Sequence, residues 1–217
     1  MRRALSTYGG GVLTYHAIVV AFGLLLGSCD GGDAPKVEDP LATDDMKGHA
    51  PDAVRIGWDY FEKGDLDTAL RRFEMAVRHD AAFAPGYYGI AYVHSARGQL
   101  DEAIKYYRLS LEHDQTYPYT YANLGLALLQ KEQFAEAVKM LDRALELKPD
   151  CGEAHLSYAN YYAFKGDWKN AEISVNKALH YGQSIDPEFR AMLEANGVSI
   201  TASTAAAAVG ADDAARP

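Results

Sequence analysis

GWDYFEKGDLDTALRRFEMA, residues 57–76, returns three times along the chain at a constant offset. The later copies read AYVHSARGQLDEAIKYYRLS (91–110), GLALLQKEQFAEAVKMLDRA (125–144) and ANYYAFKGDWKNAEISVNKA (159–178), each displaced by 34 residues. A fixed period of this size marks a stack of supersecondary units, none of which can bury its apolar face alone. Gly57, Ala91, Gly125 and Ala159 form one column; Ala69, Ala103, Ala137 and Ala171 a second; Ala76, Ser110, Ala144 and Ala178 a third. Two helices approach closely only where one offers Gly or Ala to the other's bulk. Phe73, Tyr107, Leu141 and Val175, also in phase, supply the bulk that fills the layer between neighbouring units.

Apolar spacings inside each half, such as Ile56–Tyr60 and Leu124–Leu128, are helical. The first helix of a unit ends at Lys63-Gly64-Asp65, Arg97-Gly98-Gln99 or Lys165-Gly166-Asp167. Gly beyond a helix end takes the left-handed conformation that satisfies the last carbonyls, and Asp65 and Asp167 are placed to cap the helix that follows. The third unit has Lys131-Glu132-Gln133 at that point, which predicts a strained or differently shaped turn costing about 1 kcal/mol.

On these residues the chain resembles the tetratricopeptide repeat, whose pattern places Gly or Ala, Tyr, Gly, Ala, Phe, Ala and Pro in these columns. Gly57, Tyr60, Gly64, Ala69, Phe73 and Ala76 carry the match in the first repeat, and Leu124, Gly125, Ala137, Ala144 and Pro149 in the third. The resemblance implies an all-α fold: a right-handed α-solenoid of four helix hairpins over 50–183, with repeats 50–83, 84–117, 118–151 and 152–183. Phe189, Met192 and Leu193 lie on one side of a following segment, so 184–197 is expected as a capping helix. Residues 198–217, Ala-rich and nearly without large apolar side chains, are expected to be a disordered tail.

The resemblance also implies a peptide-binding face lined by the first helix of each repeat. Its positions fall on Val54, Trp58, Phe61 and Glu62; Tyr88, Tyr92 and Ser95; Tyr119, Ala122, Leu126, Leu129 and Gln130; and Leu156, Asn160 and Phe164. This stripe is apolar and aromatic, suited to an extended peptide or an amphipathic helix; the competing reading of each ring is packing within the fold. Relatives that grip a partner's C-terminal carboxylates use Lys, Arg and Asn at two of these positions. Here those positions hold Val54/Trp58, Tyr88/Tyr92, Ala122/Leu126 and Leu156/Asn160, of which Asn160 alone fits, so a carboxylate clamp is not expected.

Before the repeats, Met1-Arg2-Arg3 leads into an apolar run from Val12 to Leu26, short for a membrane-spanning helix, and then Leu26-Gly27-Ser28-Cys29. This resembles the bacterial lipoprotein processing box. The resemblance implies a signal peptide over 1–28 and acylation of Cys29, an anchor in the bilayer strong enough to be permanent. Residues 29–49, rich in Gly, Pro and acidic side chains, are expected to form a flexible tether. The domain would then sit outside the cytoplasm, on the inner or the outer membrane. The competing reading is an ordinary secreted chain.

The net charge of -9 disfavours a nucleic-acid partner, whose phosphates need clustered Lys and Arg. His94 and His155 fall in structural columns, and His79 and His113 repeat near helix ends where they favour the dipole. No metal-pair spacing and no nucleophile–base–acid set is evident, so neither catalysis nor a cofactor or metal is expected. Cys151 would be the lone thiol once Cys29 is acylated: buried, or open to intermolecular contact. These features together point to a lipid-anchored adaptor that binds a protein or peptide of the envelope. The architecture resembles pilus-assembly lipoproteins; recruitment of peptidoglycan hydrolases and a structural role in a surface complex are the alternatives.

Overall fold

The computed structural model describes residues 50–201. The expected signal peptide, the lipidation site Cys29, the whole of the tether and the tail from 202 lie outside the described residues. The described chain contains nine α-helices and no strand. The chain divides into two compact units at His113 and Asp114.

The first unit holds α1 (Ala50–Glu62), α2 (Leu66–His79), α3 (Ala84–Ala96) and α4 (Leu100–His113). α1 pairs with α2 and α3 with α4, and α3 packs against the first hairpin. Phe73 on α2 has no exposed surface, because bare backbone from two sides meets its ring. A Cβ placed on Gly57 of α1 would lie 2.6 Å from the ring, and one on Gly89 of α3 only 2.3 Å from it. Ala69, Ile90 and Val93 complete this core, with Trp58, Tyr60, Phe61, Leu66 and Leu70 packed at its margin. Burying a side chain of this size is worth about 1.5–3 kcal/mol, so the paired glycines hold much of the unit together. Ser110, standing in a column of alanines, is buried with its hydroxyl donating to the Ala84 carbonyl at 3.1 Å. That bond offsets the cost of a buried polar group.

The second unit holds α5 (Pro118–Gln130), α6 (Phe134–Leu147), α7 (Gly152–Phe164), α8 (Trp168–His180) and α9 (Pro187–Ala195). Its hairpins are α5–α6 and α7–α8, with α7 packed on both α5 and α6. Leu141 plays the part of Phe73, fully buried with its side chain 2.6 Å from where a Cβ on Gly125 would be. The expected capping helix is α9, which buries Phe189 and Leu193. Residues 198–201, expected as the start of the tail, are packed instead. Val198 is buried, and the Asn176 side chain of α8 donates to the Ser199 carbonyl and accepts from the amide and hydroxyl of Thr201, all at 2.9 Å. Two apolar residues among four are too short a signal to mark packing, and the single amide of Asn176 that ties the segment down lies in another helix.

The hairpin turns share one geometry. Gly64, Gly98 and Gly166 have φ of 81°, 71° and 71°, and the next residue's amide returns to a carbonyl of the helix just ended: Asp65 to Tyr60, Gln99 to His94, Asp167 to Tyr162. Asp65 and Asp167 cap the following helices by accepting from the Thr68 and Asn170 amides. In the third repeat Glu132 takes the same conformation, at φ 58°, and Gln133 returns to Leu128. The turn is therefore strained but not differently shaped, since helix packing on both sides fixes its geometry whatever residue occupies it. Glu132→Gly is expected to raise the unfolding free energy by about 1 kcal/mol, and Gly64→Ala to lower it by a similar amount. Urea denaturation followed by circular dichroism checks both; an unmoved midpoint for Glu132→Gly would show that no strain is stored there.

Candidate functional site

Helical spacing sets Val54, Trp58 and Phe61 along one side of α1 and Tyr88 and Tyr92 along one side of α3. All five are half-buried. Trp58 lies edge-on to Phe61 at 5.7 Å between centroids and to Tyr92 at 5.2 Å, and Phe61 lies edge-on to Tyr92 at 5.1 Å. Tyr88 joins them, 5.9 Å from both Trp58 and Tyr92. Beneath, Trp58 rests on Phe73 at 5.0 Å and Tyr88 on Tyr107 at 5.9 Å. Phe73 and Tyr107 are fully buried, so the accessible rings stand on a rigid aromatic floor. Burial holds the Tyr107 phenol protonated far above the ordinary tyrosine range. Packing and presentation, opposed readings of these rings in the sequence, are not exclusive in this cluster: the rings pack on one another and each keeps part of its surface accessible.

The residues expected to line the face in the second unit do not gather in this way. Ala122 and Leu129 are 0% and 4% exposed, so neither offers a surface. Both sit on the side of α5 turned into the unit, where the closeness of neighbouring helices decides what is covered. Leu126 and Leu156 are half-buried. The Asn160 amide donates to the Leu156 carbonyl at 3.1 Å within its own helix. Tyr119 belongs to a separate cluster near the start of α5: its ring is 5.1 Å from Tyr117, and its hydroxyl accepts from Lys148 Nζ. That contact holds the Lys148 ammonium above its ordinary pKa. Phe164 lies at the far end of α7, its ring 4.7 Å from Phe134, with Lys165 Nζ 4.5 Å above the Phe134 ring.

Phe134 and Tyr161, whose rings are 6.1 Å apart, were not among the expected residues. The signal for Phe134 was present, since Leu66, Leu100 and Trp168 stand in its column at the same 34-residue interval. Tyr158 stacks on Tyr162 at 5.7 Å and donates to Asp142 Oδ1. Burial, with the Asp142 carboxylate adding to it, raises the Tyr158 phenol.

Among the described residues no three His, Cys, Asp or Glu side chains gather as a metal site. His94 Nδ1 lies 2.7 Å from Gln99 Oε1, its ring stacked on Tyr106, and His113 stacks on Tyr87. Cys151 is fully buried, its Sγ donating to Glu153 Oε2 at 3.5 Å, and burial pushes the thiol up to about 11. An intermolecular contact through Cys151 has no exposed sulfur to start from, since the residue has no accessible surface. No described helix is long and apolar enough to cross a membrane.

Sequence models of the tetratricopeptide repeat match residues 83–150 and 123–187. Among solved structures the chain is similar to TTC0263, a thermophilic tetratricopeptide-repeat protein of Thermus thermophilus. The identity is 23% and the TM-score 0.58, over 68% of this chain and 80% of that one. It is similar also to MamA, at 21% identity and TM-score 0.52 over 61% of this chain and 77% of that one. YrrB matches at 22% identity and TM-score 0.51, over 61% and 69%. No curated protein matches the sequence. These likenesses establish the fold.

One buried histidine makes stability depend on pH. His155 is 7% exposed, donates Nε2–H to the Pro149 carbonyl at 2.9 Å and stacks on Tyr181 at 5.5 Å. Burial lowers its pKa below the ordinary value, with Lys177 adding to the effect and Asp150 opposing it. The unfolded chain therefore binds a proton that the folded chain resists, and stability is full above the ordinary histidine pKa of about 6.5 and falls as pH drops below it. The thermal midpoint should decline through this range, and His155→Gln, which keeps an N–H for Pro149, should flatten that decline. A slope unchanged in His155→Gln would assign it to other groups.

Proposed function

We propose that this chain, a tetratricopeptide-repeat protein over residues 83–187, is a lipid-anchored adaptor that binds a peptide or helix of an envelope protein and catalyses nothing. The observation that carries the reading is the cluster of four half-buried rings, Trp58, Phe61, Tyr88 and Tyr92, held on Phe73 and Tyr107. Rings fixed by their floor lose little freedom on binding, so more of the contact energy appears as affinity. Aromatic side chains of this kind dominate protein interfaces, and helical repeats bind through the surfaces their stacking creates. The solved structure of YrrB is described as having an unusual peptide-binding site, which supports a peptide ligand here as a working expectation. The anchor rests on Leu26-Gly27-Ser28-Cys29 and puts the domain outside the cytoplasm, on a bacterial membrane. Within the envelope we read the partner as a component of pilus or secretion assembly, on the likeness of leader and repeats to lipoproteins of that class.

Two outcomes are expected. Trp58→Ala with Tyr92→Ala should lower recovery of the partner from detergent-solubilised envelopes at least tenfold, about 1.4 kcal/mol or more, with helicity retained. Equal recovery by a helical double variant would place the site elsewhere. Cys29→Ser should move the chain from the membrane to the soluble fraction; retention at high salt would count against acylation.

A further inference from the structure

Charge is distributed unequally between the two helices of each repeat. α3 and α5, 13 residues each, contain no Asp, Glu, Lys or Arg, and Glu153 is the single such residue of α7. The partner helices α2, α4 and α6 carry five apiece and α8 carries three. Burial alone does not account for this. Tyr88, Tyr92, His94 and Ser95 on α3 and Leu126 and Gln130 on α5 are all partly accessible, yet none is Asp, Glu, Lys or Arg. α1 repeats the arrangement in another form: Asp52, Arg55 and Asp59 lie along one side, Arg55 reaching both carboxylates at 4.0 and 3.5 Å. Val54, Trp58 and Phe61 lie along another side of the same helix. Accessible positions on a water-facing helix ordinarily carry charge. Positions desolvated by a partner do not, because an unpaired charge buried there is costly, and the centres of interfaces are depleted of charge and enriched in aromatic side chains.

Building on the adaptor reading, we infer that the face of Val54, Trp58, Phe61, Tyr88 and Tyr92 takes an uncharged, apolar internal segment of its partner. A free C-terminal carboxylate would find no Lys or Arg among these five residues, and a basic segment would find one carboxylate next to them in the chain, that of Glu62 at the exposed end of α1. Recognition rests on aliphatic and aromatic side chains of the partner set between the rings. Such binding is insensitive to ionic strength, since no ion pair is there to be screened.

The test is selection of a displayed library of random peptides on the full chain carrying Cys29→Ser. Recovered peptides should be near neutral and rich in Leu, Phe and Trp. Their affinity should change less than about threefold between about 50 and about 500 mM NaCl. They should keep binding Tyr92→Phe and lose about tenfold or more in affinity for Tyr92→Lys, with helicity of both variants confirmed. Charged peptides whose affinity falls about tenfold with salt and still depends on Tyr92 would overturn this inference and leave the adaptor reading standing. Peptides indifferent to Tyr92→Lys and to Trp58→Ala, or no enrichment at all, would overturn both. Should Tyr92→Lys unfold, Tyr88→Lys carries the same charge onto the same face and is judged by the same outcomes.

Discussion

Phe73 occupies a space that exists only because Gly57 and Gly89 have no side chains, and the first unit depends on that fit. The ring has no exposed surface, and a methyl group on either glycine would overlap it. Helices that approach this closely lose water from the whole layer between them, so one aromatic side chain draws α1, α2 and α3 into register. Leu141 on Gly125 repeats the device in the second unit with a smaller side chain and one glycine. The left-handed Glu132 and the bonded Ser110 are local arrangements that a close-packed layer imposes on residues the repeat pattern does not favour there.

The same layer makes the candidate site. Trp58 touches Phe73 from above, and Tyr88 touches Tyr107, so the accessible rings are fixed by the core and not by one another alone. An aromatic side chain with one edge in the core and the other accessible contributes both to stability and to recognition. A substitution at Trp58 therefore has to be read with a measurement of folding beside it. The face is also chemically spare: phenol hydroxyls and an indole N–H are the polar groups of its five residues, and Asp52, Arg55 and Asp59 of α1 lie to one side, engaged with each other.

How much of this was legible in the chain varies from residue to residue. The column of Gly57 and the column of Phe73 were both visible, and their contact follows from the period. Gly89 was not, because residues 34 positions away are Arg55 and Asn123 and no column of small residues marks it. Phe134 stood in a column of large apolar residues but outside the first helices, where the resemblance directs attention. Ala122 and Leu129 satisfied the positional pattern and are nonetheless covered, since a register position specifies direction along a helix but not the distance to its neighbour. Ser199 and Asn176 lie 23 residues apart in segments with unlike composition, and nothing periodic joins them.

The 34-residue period by itself determined the helices, their hairpin turns, the glycines at φ above zero and the caps at Asp65 and Asp167. Each of these is a local consequence of spacing and of what a side chain, or its lack, permits the backbone. The tertiary structure alone decided which rings meet, which expected face residues are covered and that Cys151 and His155 are buried. Those outcomes turn on differences of an ångström or two in the approach of helices distant in sequence, and a repeat pattern carries no information at that scale.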